Sequence, residues 1–153
     1  MMHVVLYQPE IPSNTGNIAR TCAVTGTFLH LVRPLGFSTA DRYLKRAGLD
    51  YWPLVAVSYH DSLEEIFQTH SGGRFFFLTT RGRLLYHRVS YQPGDFLVFG
   101  RETAGLPPGL LAAHPDQTLR IPMAGEVRSL NLANAVALVL YEALRQLDFP
   151  GLA

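Results

Sequence analysis

The sequence predicts an α/β protein in which helices flank a mainly parallel sheet. Short apolar segments alternate with helical segments along the chain, and most of the apolar segments show little apolar–polar alternation. Strands that are apolar on both faces are typical of parallel sheets covered by helices on both sides. Strand–helix alternation is also the pattern that crossover units produce. No composition break, linker or repeat interrupts residues 1–153, so we expect a single domain.

Six segments rich in Val, Ile, Leu and Phe predict the strands. They lie at residues 3–7, 28–33, 54–58, 74–79, 96–99 and 118–121. The first helix is expected to start at Ser13 or Asn14 as its cap and to reach Thr25, with Gly26 just past its end.

Four more helices follow. Ser38 or Thr39 is the expected cap of a helix over 40–47. Asp61 is expected to open a helix over 62–70, whose first turn carries two glutamates where the helix dipole favours them. Pro107-Pro108 predicts a short helix, and the longest helix is expected over 130–147.

This last helix is apolar around nearly its whole circumference. A surface helix shows one apolar stripe, so a helix of this kind has to be buried on more than one side. A chain of 153 residues has little interior in which to bury so long a helix. We therefore expect a homodimer with this helix at the subunit interface.

Composition excludes several classes of protein. Thirteen Lys and Arg balance twelve Asp and Glu, which excludes binding of nucleic acid by bulk charge alone. The low content of charged residues, together with nine Phe and seven Tyr, excludes a disordered chain. Twelve of the thirteen basic residues are Arg, which favours phosphate recognition or reflects only a compositional habit. A single cysteine, Cys22, excludes an internal disulfide framework. With no signal peptide and no membrane-length apolar run, the expected location is the cytoplasm.

Three loops follow predicted strands, at the edge where open α/β sheets bind ligands. The first leads into the first helix and spaces Asn14, Asn17 and Arg20 three apart, on or near one helical face. Two amides and a guanidinium near a helix N-terminus are suited to hold an anion or a sugar. A capping turn followed by a solvated arginine explains the same spacing equally well.

The second loop, at 99–109, places Gly100 directly after an apolar strand. A glycine there lets a ligand approach the backbone closely. Arg101 and Glu102 follow, although a plain turn requires neither charge. A surface turn into a short helix is the alternative, and it explains residues 108–109 better than residues 100–105.

The third loop, at 121–131, enters the apolar helix. Ser129 is a suitable N-cap of that helix, and capping is its simplest role. Asn131 and Asn134 are polar residues in an apolar helix, and their burial without partners would be costly. We therefore expect both amides to face a site or an interface network.

Several familiar chemistries are absent from the sequence. It contains no Gly-x-Gly-x-x-Gly after the first strand, no phosphate-binding Gly-Lys-Ser/Thr loop and no Gly-x-Ser-x-Gly elbow. Its six histidines show no metal-ligand spacing, and Cys22 falls inside a packed helix. The remaining class is a site without metal or nucleophile that binds a ligand or transfers a group.

Together the three loops resemble the motifs of the SPOUT superfamily of RNA methyltransferases. Within its 2′-O-ribose branch, the chain is most similar to the small subfamily that methylates the wobble cytidine or uridine of tRNA. The matching stretches are Pro12-x-Asn14-Thr15-Gly16-Asn17-Ile18-x-Arg20, then Phe99-Gly100-x-Glu102-x-x-Gly105-Leu106-Pro107, then Ile121-Pro122-Met123 and Arg128-Ser129-Leu130-Asn131-Leu132-Ala133-Asn134-Ala135-Val136. The chain departs from the family at Arg101, a position that members often fill with proline.

The resemblance implies a C-terminal trefoil knot, a homodimer, S-adenosylmethionine as cofactor and the anticodon stem-loop of tRNA as substrate. It implies a cofactor pocket lined by Leu78, Thr79, Gly100, Ile121, Met123, Ser129 and Leu130. It also implies catalytic and ribose-positioning roles for Asn14, Arg20, Glu102, Ser129 and Asn131. No metal and no membrane are implied.

Binding of RNA then requires local basic faces. Arg42, Lys45 and Arg46 fall on one side of the second helix. A second basic stretch contains Arg74, Arg81, Arg83 and Arg88, with Tyr86 and Tyr91 nearby for base stacking. Ordinary solvated charge explains both stretches when each is taken alone. The alternative functions are methylation of another tRNA or rRNA position and a non-catalytic, knotted RNA-binding module.

Overall fold

A seven-stranded sheet, parallel at every pairing, forms the centre of the protein. The computed structural model describes residues 1–127 and 129–153, apart from the side chains of residues 48–50. The strand order is β3-β2-β1-β6-β4-β7-β5. The strands are β1 (His3–Tyr7), β2 (Phe28–Val32), β3 (Val57–His60), β4 (Phe75–Leu78), β5 (Leu84–Leu85), β6 (Phe96–Phe99) and β7 (Thr118–Arg120).

Five α-helices connect and cover these strands within the described residues. They are α1 (Pro12–Thr25), α2 (Arg42–Gly48), α3 (Leu63–Thr69), α4 (Pro108–Ala113) and α5 (Leu132–Gln146). Three 3₁₀ turns, Leu49–Leu54, Tyr86–Arg88 and Pro115–Gln117, complete the connections. The predicted α/β class with a parallel sheet and flanking helices is confirmed.

The predicted strands agree with the structure except at two places. The third strand is Val57–His60 rather than 54–58, because Leu54 ends a 3₁₀ turn and is 72% exposed. The two-residue strand β5 was not predicted, because an apolar pair is too short to show a period. The Arg33–Pro34 peptide bond that follows β2 is cis.

The helix caps correct several predictions. Ile11 precedes α1 and makes no side-chain cap bond, so Ser13 and Asn14 lie inside the helix, while Gly26 ends it at φ 66° as predicted. The Asp41 carboxylate accepts from the backbone N–H of Tyr43, so neither Ser38 nor Thr39 caps α2, which begins at Arg42.

The caps of the third and last helices also differ from the prediction. Ser62 rather than Asp61 caps α3, because its hydroxyl accepts from the backbone N–H of Glu65. Asn131 rather than Ser129 caps α5, and the helix begins at Leu132, two residues later than predicted. A cap of this kind contributes about 1 kcal/mol to stability.

Two apolar clusters hold the layers together. Helices α1 and α5 pack on one face of the sheet through residues such as Ile18, Cys22 and Leu140. Helix α3 packs on the other face through Leu63 and Ile66. Each fully buried Leu or Ile contributes about 1.5–3 kcal/mol relative to exposure. Burial also raises the pKa of the Cys22 thiol to about 12, which removes it as a nucleophile at neutral pH.

Helix α5 is buried on one side only within the single chain. Its buried face consists of Val136, Val139, Leu140, Ala143 and Leu144. Leu138 and Tyr141, on the other side, remain 39% and 42% exposed. In the described parts of the chain, no helix is long and apolar enough to cross a membrane.

Four histidines that are far apart in sequence meet on the sheet face that α3 covers. His3 Nδ1 lies 2.9 Å from His30 Nε2, and His30 Nδ1 lies 3.0 Å from His60 Nε2. The His60 Nδ1 atom lies 4.0 Å from a carboxylate oxygen of Glu65, and the His70 ring is 5.8 Å from that of His30. Neutral imidazoles protonated at Nδ1 satisfy the two contacts between rings, and His60 Nδ1 then faces the Glu65 carboxylate. Burial and the neighbouring imidazoles lower the pKa of His30 to about 3, and burial first of all lowers that of His3 to about 4.

We predict that this line of imidazoles makes folding stability depend on pH. The folded protein disfavours the imidazolium form, while the unfolded chain binds these protons with a pKa near 6.5. Stability is therefore present at neutral pH and is lost as pH falls from about 6.5 toward 4. For His30 alone, the expected loss between pH 7 and pH 5 is about 2 kcal/mol.

Denaturant unfolding of wild type and His30→Leu at the two pH values measures this effect. The variant is expected to lose less stability on acidification. Substitution of the exposed His87 with Leu is the control and is expected to leave the pH dependence unchanged. Equal pH dependence in wild type and His30→Leu would contradict the assignment. Besides burial, two positive charges lower pKa values in this line: Arg33 lowers that of His60, and the N-terminal ammonium lowers that of His3. Both charges are present in all three proteins, so they do not affect the comparison.

Candidate active site

A cavity of about 720 Å³ opens at the carboxyl ends of β4, β6 and β7. The N-terminal ends of α1 and α5 border it, together with the loop that follows β6. All seven residues that the family resemblance assigned to the cofactor line this cavity: Leu78, Thr79, Gly100, Ile121, Met123, Ser129 and Leu130. Four of the five residues assigned to catalysis line it too: Asn14, Glu102, Ser129 and Asn131. Arg128, which belongs to the third motif, lies outside the described residues.

The loop after β6 folds back tightly on itself at the cavity. Arg101 and Gly105 form a backbone bridge, with the Arg101 N–H donating to Gly105 O at 3.2 Å and the Gly105 N–H donating to Arg101 O at 2.9 Å. A Cβ atom on Gly100 would lie 2.3 Å from the carbonyl carbon of Gly105. Gly105 itself has φ 65°, a left-handed conformation that favours glycine. Both glycines are therefore required by the geometry of this loop.

The Glu102 carboxylate joins this loop to the start of α1. One of its oxygens accepts from the backbone N–H of Glu10 at 3.0 Å. The other accepts from the backbone N–H of Ile11 at 2.7 Å and from the side-chain amide of Asn14 at 3.4 Å. A negative charge at a helix N-terminus is also favoured by the helix dipole. Glu102 therefore holds the loop and the helix together at the edge of the cavity.

A second carboxylate makes the reciprocal connection. Glu10 accepts from the backbone N–H of Thr103 at 3.0 Å and from its hydroxyl at 2.8 Å. These hydrogen bonds are the main cause that lowers the pKa of Glu10, with a smaller contribution from the charge of Arg101. Sequence analysis missed Glu10 and Thr103, because the two residues lie 93 positions apart and neither belongs to a spaced motif.

An amide pair connects the first and third loops. The side-chain amide of Asn131 donates to the side-chain oxygen of Asn14 at 3.0 Å, and the Asn131 oxygen accepts from the backbone N–H of Asn134 at 3.2 Å. Asn14 is only 5% exposed. Asn131 thus caps α5 and positions Asn14 at once. We expected the side chains of Asn131 and Asn134 to face a site or a polar network, and this is confirmed for Asn131. Asn134 contributes only its backbone N–H to the network, and its side chain is exposed.

Arg20 is not brought to the cavity of its own chain. It is exposed, and its guanidinium carbon lies 4.7 Å from the ring centre of Tyr51. Asn17 is exposed as well, so the expected shared face of Asn14, Asn17 and Arg20 is wrong. Along a helix, the side-chain direction around the axis changes by about −60° for every three residues. Arg20, six residues after Asn14, therefore points roughly 120° away from it.

The basic residues predicted to bind RNA lie in three different settings. Arg42, Lys45 and Arg46 are exposed on α2. Arg81 is exposed and also lines the cavity. Arg83 forms a surface ion pair with Asp116.

Of the remaining residues of the second basic stretch, Arg74 pairs with the buried Asp95. The expectation that Tyr91 serves for base stacking is wrong, because Tyr91 is 5% exposed and donates its hydroxyl hydrogen to the Tyr86 carbonyl.

Comparison with known proteins places this geometry in a family. Residues 1–141 match the model of the SpoU rRNA Methylase family. The chain is 51% identical to the tRNA (cytidine(34)-2'-O)-methyltransferase of Escherichia coli (strain K12), over 99% of this chain and 97% of that one.

Two solved structures extend the comparison. One, described as giving structural insights into the 2-OH methylation of C/U34 on tRNA, has a TM-score of 0.92 and 52% identity and covers 97% of each chain. The SpoU methyltransferase AviRb from Streptomyces viridochromogenes, in complex with the cofactor AdoMet, has a TM-score of 0.83 and 26% identity. The match covers 95% of this chain and 57% of AviRb.

Proposed function

Because the chain belongs to the SpoU rRNA methylase family, we propose that it transfers a methyl group from S-adenosylmethionine to tRNA. The acceptor is the ribose 2′-hydroxyl of the wobble nucleotide, a cytidine or uridine. The observation that carries this proposal is the cavity that gathers residues of all three motifs at one edge of the sheet. Relatives named for this reaction at 51% identity over nearly the whole chain support it.

The residues of the cavity fit the proposed cofactor. A side chain at Gly100 would collide with the backbone of Gly105 and Leu106, so this glycine permits the tight loop whose backbone borders the cavity. Leu78, Ile121 and Met123 supply apolar walls, and Thr79 and Ser129 supply polar groups. When bound, S-adenosylmethionine supplies a methyl group on a sulfonium leaving group. The proposal includes no metal ion, because this leaving group is already activated.

The polar edge of the cavity would position the ribose. Asn14, Glu102 and Asn131 form one connected network there, in which each side chain is held by at least one other. Held side chains orient a weak nucleophile at little entropic cost, which is the main contribution that an enzyme can make to this reaction. We place Ser129, which lines the same cavity, beside this network.

Arg20 would stabilise negative charge rather than remove a proton. A guanidinium stays protonated in proteins, so it cannot act as a base. Its planar donors suit the developing alkoxide or the adjacent phosphate. Since Arg20 does not line its own cavity, the proposed role requires RNA that spans the two sites or the cavity of a second copy.

We predict that Arg20→Ala lowers the single-turnover rate of methyl transfer about a hundredfold and that Arg20→Lys has an intermediate effect. The measurement uses saturating tRNA, with tRNA affinity determined in parallel. Normal rates in both variants with intact tRNA binding would contradict this role of Arg20.

Exposed basic residues near the cavity support binding of the anticodon stem-loop. Arg42, Lys45 and Arg46 form a basic face on α2, and α2 packs against α1, which borders the cavity. Arg81 lines the cavity itself, and Arg83, which pairs with Asp116, is exposed two residues further along the chain. Binding through such contacts is expected to weaken steeply with salt.

We further propose a homodimer that covers the free side of α5. Leu138, Tyr141 and the nearby Phe149 are 39%, 42% and 38% exposed, which is unusual for a cluster of large apolar side chains. Wild type is expected to show twice the chain mass of 17.0 kDa by light scattering. Leu138→Lys combined with Tyr141→Lys is expected to give the monomer mass, whereas Leu54→Lys, at another exposed apolar site, is expected to remain dimeric. A monomeric wild type would contradict the proposal.

The trefoil knot of the family is proposed for this chain as well. Strand β7 lies between β4 and β5. The segment that links β4 to β5 therefore has to pass β7, and a Cβ on Gly82 would lie 2.2 Å from the Leu119 carbonyl carbon. Arg120 donates to the carbonyl of Gly82, and the Thr118 hydroxyl accepts from the Arg83 N–H. These contacts support a tight crossing within one domain of residues 1–153, which we place in the cytoplasm with its tRNA substrate.

Methyl transfer to total tRNA, followed by mapping of the modified nucleotide by mass spectrometry, tests the proposed function. A 2′-O-methyl group at position 34 is the expected result. A methyl group at another tRNA position or in rRNA would favour a different substrate within the same reaction class. Binding of tRNA without methyl transfer would favour a non-catalytic module.

A further inference from the structure

A buried nitrogen without a partner stands at the rim of the active-site cavity. The Nε atom of Arg101 is buried and has no hydrogen-bond partner within the described residues. Its guanidinium carbon lies 5.6 Å from the ring centre of Tyr7, and the residue lines the cavity. The guanidinium is therefore only partly solvated and poorly satisfied within the described residues, so an anion that reaches its accessible atoms gains more than it would at a fully solvated arginine.

Two carboxylates are candidates to pair with Arg101: Glu102, which follows it in the sequence, and Glu10, whose pKa its charge helps to lower. Both carboxylates already accept hydrogen bonds from other groups. Glu102 accepts from two backbone N–H groups and from Asn14, and Glu10 accepts from Thr103. No carboxylate of the described residues lies within 4.0 Å of the Arg101 guanidinium. The donors of Arg101 are therefore not used to neutralise its own loop, although its charge contributes to lowering the pKa of Glu10.

The backbone holds Arg101 at this place. The paired hydrogen bonds between Arg101 and Gly105 restrict the residue to the rim, one position from Gly100 and Glu102. The ring of Tyr7 lies on one side of its guanidinium. A guanidinium fixed in this way presents a planar set of donors to a group with two anionic oxygens.

We infer that Arg101 binds a backbone phosphate of the RNA next to the ribose that is methylated. The inference rests on the proposed function, which brings a ribose to the edge formed by Asn14, Glu102 and Asn131. A ribose is linked directly to its flanking phosphates, so a phosphate has to lie near the rim when the sugar reaches that edge. Arg101 would thus recognise the RNA backbone without reading the base.

The test compares Arg101→Gln and Arg101→Lys with wild type. Affinity for full-length tRNA is measured at several salt concentrations, affinity for S-adenosylmethionine alone is measured by calorimetry, and the melting temperature is recorded. Arg33→Gln removes the same charge from an exposed ion pair with Asp61 and is the matched control. Arg101→Gln is expected to weaken tRNA binding about tenfold and to leave the affinity for S-adenosylmethionine unchanged. The salt slope, which is the slope of log affinity against log salt concentration, is expected to fall by the amount that corresponds to about one phosphate contact. Arg101→Lys is expected to retain the salt slope and to recover part of the affinity.

Three results would overturn the inference. A tRNA affinity and salt slope of Arg101→Gln equal to those of Arg33→Gln would show that Arg101 contacts no phosphate. A loss of cofactor affinity with unchanged tRNA binding would assign Arg101 to the cofactor carboxylate instead. A loss of tRNA affinity in proportion to a lower melting temperature in both Arg101 variants would assign it to folding. Failure of wild type to methylate tRNA would count against the proposed function, whereas an active wild type with an unaffected Arg101→Gln would count against the inference alone.

Discussion

Gly100→Ala is expected to abolish measurable binding of S-adenosylmethionine and to destabilise the protein by about 3 kcal/mol. The added Cβ would lie 2.3 Å from the Gly105 carbonyl carbon and 2.4 Å from the Leu106 nitrogen. Both neighbours are backbone atoms, so the loop itself has to move. That movement displaces the backbone that borders the proposed cofactor pocket. Calorimetry with S-adenosylmethionine and thermal unfolding measure the two effects.

Substitutions at two further glycines serve as a milder change and as a control for this prediction. Gly105→Ala meets no atom within 4 Å but has φ 65°, so we expect a cost of about 1 kcal/mol and weakened rather than abolished binding. Gly109→Ala, in α4, also meets no atom within 4 Å and has no positive φ, so it is the control and is expected to bind normally. Unchanged cofactor affinity in a folded Gly100→Ala protein would contradict the assignment of the cavity.

Glu102→Ala is expected to lower the single-turnover rate at least about a hundredfold and stability by about 2 kcal/mol. The substitution removes the acceptor of the Glu10 and Ile11 N–H groups and of the Asn14 amide. The start of α1 then loses its connection to the loop after β6. Since Asn14 also holds Asn131, the displacement reaches the N-terminal end of α5.

The variant Glu102→Gln separates a positioning role from that of a proton acceptor. An amide retains one acceptor oxygen, so a positioning role predicts that its rate and melting temperature both fall between those of wild type and Glu102→Ala. If Glu102 accepts the hydroxyl proton in the reaction, the rate of Glu102→Gln falls to that of Glu102→Ala, although its melting temperature still lies between those of wild type and Glu102→Ala. We expect the first result, because the hydrogen bonds of the carboxylate are already directed to α1.

Much of the fold could be predicted because its signals are local. Strand β6 was predicted at its observed bounds, and Gly26 ends α1 as expected, since apolar runs and left-handed caps depend on few neighbours. We predicted Ser129 as the cap of α5, whereas Asn131 caps it in the structure. Both side chains can cap a helix, and tertiary contacts decide between them. Strand β3 starts later than predicted because a 3₁₀ turn extends to Leu54 and Val55 lies in the bend that follows it.

The candidate site could be predicted only as separate loops. The motifs identified Asn14, Glu102 and Asn131, but the bond between Asn14 and Asn131 joins residues 117 positions apart. The pairing of Glu10 with Thr103 and the line of His3, His30 and His60 likewise depend on which strands become neighbours. Sequence spacing carries no information on such contacts when each partner lies in a different element.

The most direct test of the account is methyl transfer to tRNA that carries a single 2′-deoxy substitution. Wild-type protein and S-adenosylmethionine are incubated with tRNA that lacks only the 2′-hydroxyl of nucleotide 34, and with tRNA that lacks only that of a neighbouring nucleotide. The account predicts no transfer to the first RNA and normal transfer to the second. Equal transfer to both would show that the methyl group goes elsewhere and would contradict the assignment of the ribose site.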